Sequence, residues 1–327
     1  MALARGAHVA YLYLSAEGAF AGRSAVLRGK VLLAYLVVCV AWGSTYIAIR
    51  IGVRTIPPLL FGGVRFFTAG ALLFIAARAM GQALPARLRD WRVLVIVGLF
   101  LLAGGNTAVI VAEKFTPAGV ASVFAATSVV WTAFFEAVWA RNASGLSRRV
   151  MAGLAMGVLG TIVLVGMTPN ELAHADWRGP AILTIGSALW AFGAVYYKHH
   201  HPDAGPYIGA AVQMLAAGIA VTTAGLVLGE TAQLHVTATG VEALLYLVVV
   251  GSLVGYTAYT YALSHASATI VSTYTYVNPV VAVLLGWSLL GERIEARTIV
   301  GMVIVLTAVI GTQYSWRPAR IGESADG

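Results

Sequence analysis

The sequence predicts an all-α polytopic membrane protein: ten transmembrane helices arranged as two inverted five-helix repeats (5+5). Three observations predict it. Of 327 residues, 59% are hydrophobic and only 10% charged, with a mean hydropathy of +0.83, whereas soluble domains carry roughly a quarter charged residues. Ten apolar segments reach the ~20 residues that a helix needs to cross hydrocarbon with its backbone groups satisfied internally. The string WGSTYIAIR at 42–50 returns in altered form as WAFGAVYYK at 190–198, an offset of 148 shared by Gly153 and Gly301. Between these, GNTA at 105–108 corresponds to GYTA at 255–258 at an offset of 150, a two-residue slippage assigned to a loop.

In chain order the spans fall at roughly 31–53, 57–79, 92–112, 117–139, 149–167, 179–198, 206–228, 241–263, 267–290 and 297–315. Breakers and charges mark the joints: Pro57-Pro58, the Arg87-to-Arg92 stretch, Pro117, Gly179-Pro180 and Gly205-Pro206. This divides the chain into a cytoplasmic tail (1–30), a first repeat (31–167), a second repeat (179–315) and a second tail (316–327). An odd number of spans per copy turns the second copy upside down in the bilayer, a recurrent plan of transporters whose halves rock about a central site.

The net charge of +8 is read as orientation and not as a nucleic-acid surface. Fourteen of the 21 Lys and Arg lie in the tails and loops on one side, six on the other, and Arg65 lies within a span. The richer side is cytoplasmic by the positive-inside rule, which puts both termini in the cytoplasm. The loop holding Arg141, Arg148 and Arg149 corresponds to GERIEAR in the second copy, where Glu292 and Glu295 balance Arg293 and Arg297. Opposite sidedness of equivalent loops requires such a difference. Cys39 is the single cysteine, which leaves no disulfide or thiolate cluster within one chain. Residues 1–25 include the short apolar run AHVAYLYL, interrupted by Glu17; an uncleaved, poorly ordered tail is expected, or a start placed too early.

The repeat, WGSTYIAIR and the run YVNPVVAVLLGWSLLGERI at 276–294 together resemble the drug/metabolite transporter superfamily, specifically its ten-helix EamA-type permeases. GVRFF at 63–67 and AEKFTPAGVAS at 112–122 are similar to the WGSTY subgroup of small inner-membrane permeases, and the match covers about 30–315. The resemblance implies a bacterial inner-membrane carrier exporting amino acids or related metabolites, proton-coupled or facilitative, with a pocket between the halves. The sequence departs from symmetry at Pro279, whose counterpart is Val129, and at Gly291-Glu292. Span nine is therefore expected to kink and span four to run straight.

Trp42 and Trp190 each lie about twelve residues into their spans, near the midplane and away from the interfaces where Trp usually anchors. They read as aromatic walls for an apolar or cationic group, or as packing against Gly43 and Ala191. Ser44 and Tyr46 lie in the same WGSTY string and join the substrate-binding set. Asn106 and Tyr256 are repeat equivalents, costly in hydrocarbon unless paired or facing water. Tyr274 and Asn278 are four residues apart on one helical face. Pro279 after them frees the carbonyl of Thr275 and reads as a hinge, and Tyr259 adds a hydroxyl nearby. Arg65 reads as a partner for a substrate carboxylate, or as a structural pair or snorkelling charge. Glu113 is its candidate partner and the candidate proton carrier, and Glu136 reads as an interfacial acid near Arg141. His199-His200-His201 reads as a solvated turn and not as a metal site.

No catalytic residue, metal site or cofactor is expected. The expected partners are a small-molecule substrate, the lipid bilayer and, with coupling, protons, but no nucleic acid, in a monomer or homodimer. Two rivals stand beside the exporter: a lipid or lipid-linked substrate flippase of the same superfamily, and an integral membrane transferase, for which the spans offer no acid/base or metal cluster. A chain beginning near Ala25 is expected to insert and transport like the full one; loss of the protein from the membrane fraction would contradict the tail reading.

Overall fold

In the computed structural model, residues 29–112, 114–115, 118–139, 148–166, 170, 176–290 and 294–315 are described. They form ten apolar helices: α1 (Gly29–Gly52), α2 (Pro58–Ala79), α3 (Leu88–Ala112), α4 in two pieces (Ala118–Ala126 and Ser128–Trp139) and α5 (Arg148–Val165). The second five are α6 (Arg178–His200), α7 (Pro206–Val227), α8 (Ala238–His265), α9 in two pieces (Ala268–Ser272 and Tyr274–Leu290) and α10 (Ala296–Ser315). Seven of these helices are long and apolar enough to cross a membrane unaided, and the other three contain shorter apolar stretches. Large apolar side chains such as Leu33, Ile75, Ile185 and Val303 face outward, the surface a bilayer solvates.

The inversion is visible in reciprocal contacts. Helices α2 and α7 both begin with Pro at the first helical position, where its missing N–H costs nothing. Both end at a glycine in the left-handed region, Gly81 at φ 77° and Gly229 at φ 73°. Among helices α2 to α10 they form the most extensive pair, followed by α3 against α6 and α5 against α10. A Cβ placed on Gly70 would sit 2.8 Å from the Leu215 nitrogen, and one on Gly218 would meet the Phe67 nitrogen. Each of these glycines is the repeat equivalent of the other, and so are Phe67 and Leu215.

The helix starts repeat the exchange. Gln82 Oε1 accepts from the Ile208 amide (3.3 Å) at the start of α7, and Glu230 Oε2 accepts from the Leu60 amide (2.9 Å) at the start of α2. When residue i of one copy touches j of the other, the equivalent of j touches the equivalent of i. Only a two-fold relation between the copies produces this. The two-residue slippage lies in a loop, as expected: residues 80–87 join α2 to α3, whereas 228–237 join α7 to α8 and include the turn Glu230–Gln233.

Both α3 and α8 contain a π-helical stretch, Leu99–Asn106 and Leu247–Tyr256. The wider turn displaces backbone carbonyls from their helical donors, and such stretches recur at functional sites. In α3 the Thr107 hydroxyl donates to the Leu102 carbonyl at 3.0 Å.

The helical pattern of α4, expected to run without a kink, is interrupted at Thr127, as that of α9 is at Thr273. At each joint a threonine hydroxyl donates to the carbonyl three residues back, Thr127 to Phe124 (2.5 Å) and Thr273 to Ile270 (2.7 Å). Local side-chain bonds of this kind compete with the helical ladder and need no proline. Pro279 lies inside the second piece of α9, six residues past its joint. If the glycine seam holds the halves together, Gly70→Leu and Gly218→Leu each destabilise the protein by about 1–3 kcal/mol through overpacking. Thermal unfolding in detergent would show two similar drops.

Candidate substrate-binding cavity

A cavity lies between the two copies, lined by side chains of both. Trp42, Thr45, Tyr46 and Ile49 line it from α1, spaced three and four residues apart on one helical stripe. The other walls are Arg65 from α2, Gly105, Asn106 and Val109 from α3, and Ala125 and Ser128 around the α4 joint. Gly186, Ser187 and Trp190 come from α6, and Tyr274, Thr275 and Asn278 from α9. From the midplane it runs toward the membrane face that carries the α1–α2 loop.

Its floor is an aromatic cluster. Trp42 meets Tyr274 at 4.8 Å, Tyr259 at 5.1 Å and Trp190 at 5.4 Å between ring centroids, and Trp190 meets Tyr259 at 5.2 Å. Two of these four contacts are edge-to-face, which ring quadrupoles favour, and two are tilted. The indole of Trp42 donates to the Gly251 carbonyl at 2.8 Å, a group in the π stretch of α8. Glycine lets both indoles approach: a Cβ on Gly255 would lie 2.6 Å from Trp42 Nε1, and one on Gly105 would lie 2.7 Å from Trp190 Cβ. Here too each contact is the two-fold image of the other.

Arg65 is 2% exposed. Its Nε donates to Ser252 Oγ (2.9 Å) and its Nη1 to Asn106 Oδ1 (3.5 Å), and among the described residues no carboxylate forms an ion pair with it. The cost of a buried charge is large unless a partner compensates it. Ser128 Oγ and Asn278 Oδ1, themselves repeat equivalents, are buried without a hydrogen-bond partner among the described residues. Buried polar atoms in native proteins are rarely left so. All three groups line the cavity. It thus offers a guanidinium, a hydroxyl and an amide oxygen between two indoles.

The structure brings together Trp42, Tyr46, Arg65, Asn106, Trp190, Tyr274 and Asn278. Tyr256 and Tyr259 do not line the cavity; they are buried beneath it. Ser44 does not line it either: its hydroxyl donates to the Ala41 carbonyl and accepts from Tyr246 on α8. Taking WGSTY as a block placed Ser44 in the site, whereas helical spacing from Trp42 points to Thr45 and Tyr46. Thr45, Ser128, Ser187 and Thr275 were missed; Ser128 was accessible as the equivalent of Asn278. Glu113 lies outside the described residues. Glu136 is more than an interfacial acid, because it accepts from the Ala268 amide (2.9 Å), the Thr269 amide (3.3 Å) and the Thr269 hydroxyl. It ties α4 to the start of α9 on the closed side. His199 and His200 belong to the last turn of α6 and stack on Trp139 and Tyr196.

Trp42→Phe keeps the ring contacts but loses the bond to Gly251 and is expected to cost about 1 kcal/mol. Trp42→Ala also opens a void and is expected to cost about 3–5 kcal/mol. Unfolding midpoints of the two purified variants would rank them.

Comparison with known proteins follows the same lines. The sequence profile of the EamA-like transporter family matches residues 29–166 and again 177–313. The chain is 37% identical over 287 residues to the "Uncharacterized inner membrane transporter YedA" of Escherichia coli (strain K12), covering 87% of this chain and 89% of that protein. It is 28% identical over 298 residues to a "Probable amino-acid metabolite efflux pump" of Salmonella typhimurium, covering 87% and 95%. A crystal structure at 18% sequence identity shares the fold with a TM-score of 0.70, covering 87% of this chain and 98% of its own. The chain belongs to the EamA-like transporter family, ten-helix permeases of the drug/metabolite transporter superfamily.

Proposed function

We propose that the protein is a secondary carrier that exports a small zwitterionic metabolite, of the amino-acid class, across a bacterial inner membrane. The observation that carries this reading is Arg65: a buried guanidinium on the cavity wall with no carboxylate paired to it among the described residues. Its fork suits a substrate carboxylate held by two parallel hydrogen bonds. The unpartnered Asn278 Oδ1 suits an ammonium group, and the faces of Trp42 and Trp190 attract a cation. A similar protein from Salmonella is named for amino-acid metabolite efflux, which agrees with this chemistry.

Transport works by alternating exposure of the cavity between the two inverted copies, the behaviour that such repeats support. Both termini are cytoplasmic by the charge asymmetry of the loops, and the cavity then faces outward in this structure. Proton coupling, where it operates, is assigned to Glu113, the residue that follows α3 in sequence, and Pro279 is assigned a hinge within the second piece of α9. Replacing Glu113 by Gln should then abolish pH-driven flux.

The test is the composition of the medium. Cells overproducing the protein are expected to accumulate one class of amino acid outside, and Arg65→Ala and Trp42→Ala to abolish the excess at equal membrane abundance. Arg65→Lys keeps charge but loses the fork and should transport about tenfold less well, the equivalent of ~1.4 kcal/mol. Unchanged medium, or an excess that survives Arg65→Ala, would reject the proposal. Flux of a soluble solute into proteoliposomes separates this carrier from a lipid flippase.

A further inference from the structure

The cavity described above lies on one side of the midplane, and the two-fold relation shows which described residues occupy its mirror position. Arg65 maps onto Gln213 at the offset of 148, and Asn106 onto Tyr256 at 150. Within each copy the pair is bonded. Arg65 Nη1 donates to Asn106 Oδ1 at 3.5 Å, and the Tyr256 hydroxyl donates to Gln213 Oε1 at 2.5 Å. The first pair lines the open cavity. The second is sealed, with Gln213 and Tyr256 each 1% exposed.

Gln213 also has an independent anomaly. Its amide nitrogen Nε2 is buried with no hydrogen-bond partner among the described residues. Two N–H donors without acceptors deep in a membrane protein are costly. They are explained if the side chain spends part of its working cycle facing solvent or solute. Cys39 on α1 maps onto the cavity-lining Ser187 at the same offset and is likewise buried in this structure.

We infer that Gln213 and Tyr256 form a second substrate subsite, exposed when the cavity closes at Arg65 and opens to the opposite membrane face. This rests on the alternating-exposure reading above. Its chemistry differs from that of the present opening. One face offers a guanidinium, which can hold a carboxylate by a bidentate ion pair, the other a neutral amide and a phenol, which can donate single hydrogen bonds to it but supply no countercharge. Charge recognition belongs to one end of the path and neutral hydrogen bonding to the other.

Cysteine labelling in sealed membrane vesicles of both orientations, with a membrane-impermeant methanethiosulfonate, decides it. In a Cys39→Ser background, Asn106→Cys is expected to react from one face, and Gln213→Cys and Tyr256→Cys only from the opposite face. Native Cys39 in the unsubstituted protein reports the opposite opening by itself and is expected to react from the same face as Gln213→Cys. If Cys39 reacts while both Gln213→Cys and Tyr256→Cys stay unreacted, or react from the face that labels Asn106→Cys, the subsite is overturned and alternation stands. If Cys39 reacts from neither face, alternation fails and the subsite with it. Tyr256→Cys guards against a Gln213→Cys protein that does not fold.

Discussion

The hydrogen bond from the Trp42 indole to the Gly251 carbonyl joins the two copies at the point on which the rest of the site depends. Hydrocarbon supplies no water to an unpaired backbone group, so a carbonyl displaced from its helix must find a partner in the protein. The π stretch of α8 displaces such carbonyls, and the indole of the other copy takes one of them. The bond fixes the ring over Gly255, which in turn fixes the stack of Trp190, Tyr259 and Tyr274. Cavity floor, seam and helix irregularity are thereby one arrangement.

Around that point the two copies behave as a dimer written in one chain. Reciprocal contacts at Gly70 and Gly218, and at Gln82 and Glu230, hold the seam. Residues off the seam are free to differ, and they do: Arg65 opposes Gln213, and Asn106 opposes Tyr256. Symmetry thus governs how the halves pack, while the polar side chains at equivalent positions differ.

The fold was legible because a membrane helix is encoded by length and hydropathy, which read directly from the chain. The repeat offset then fixed equivalences such as Pro58 with Pro206, and the structure keeps them. The candidate cavity was legible where a residue violates the membrane rule, as Arg65, Asn106 and the mid-span Trp residues do. It was obscured where the deciding factor is helical phase, which moved Ser44 off the cavity and Thr45 onto it. The joint at Thr127 has no proline to mark it in the sequence; a threonine hydroxyl accompanies it through a local bond that composition does not reveal.

The threonine joints have a consequence for how a helix can flex inside hydrocarbon. A helix that bends at a proline carries a carbonyl without its donor in every conformation, a fixed penalty. At Thr127 and Thr273 the hydroxyl remains beside the carbonyl three residues earlier, so a change of angle exchanges one acceptor geometry for another without exposing a polar group to lipid. A change of angle at these two joints therefore calls for side-chain repacking but leaves no backbone group bare.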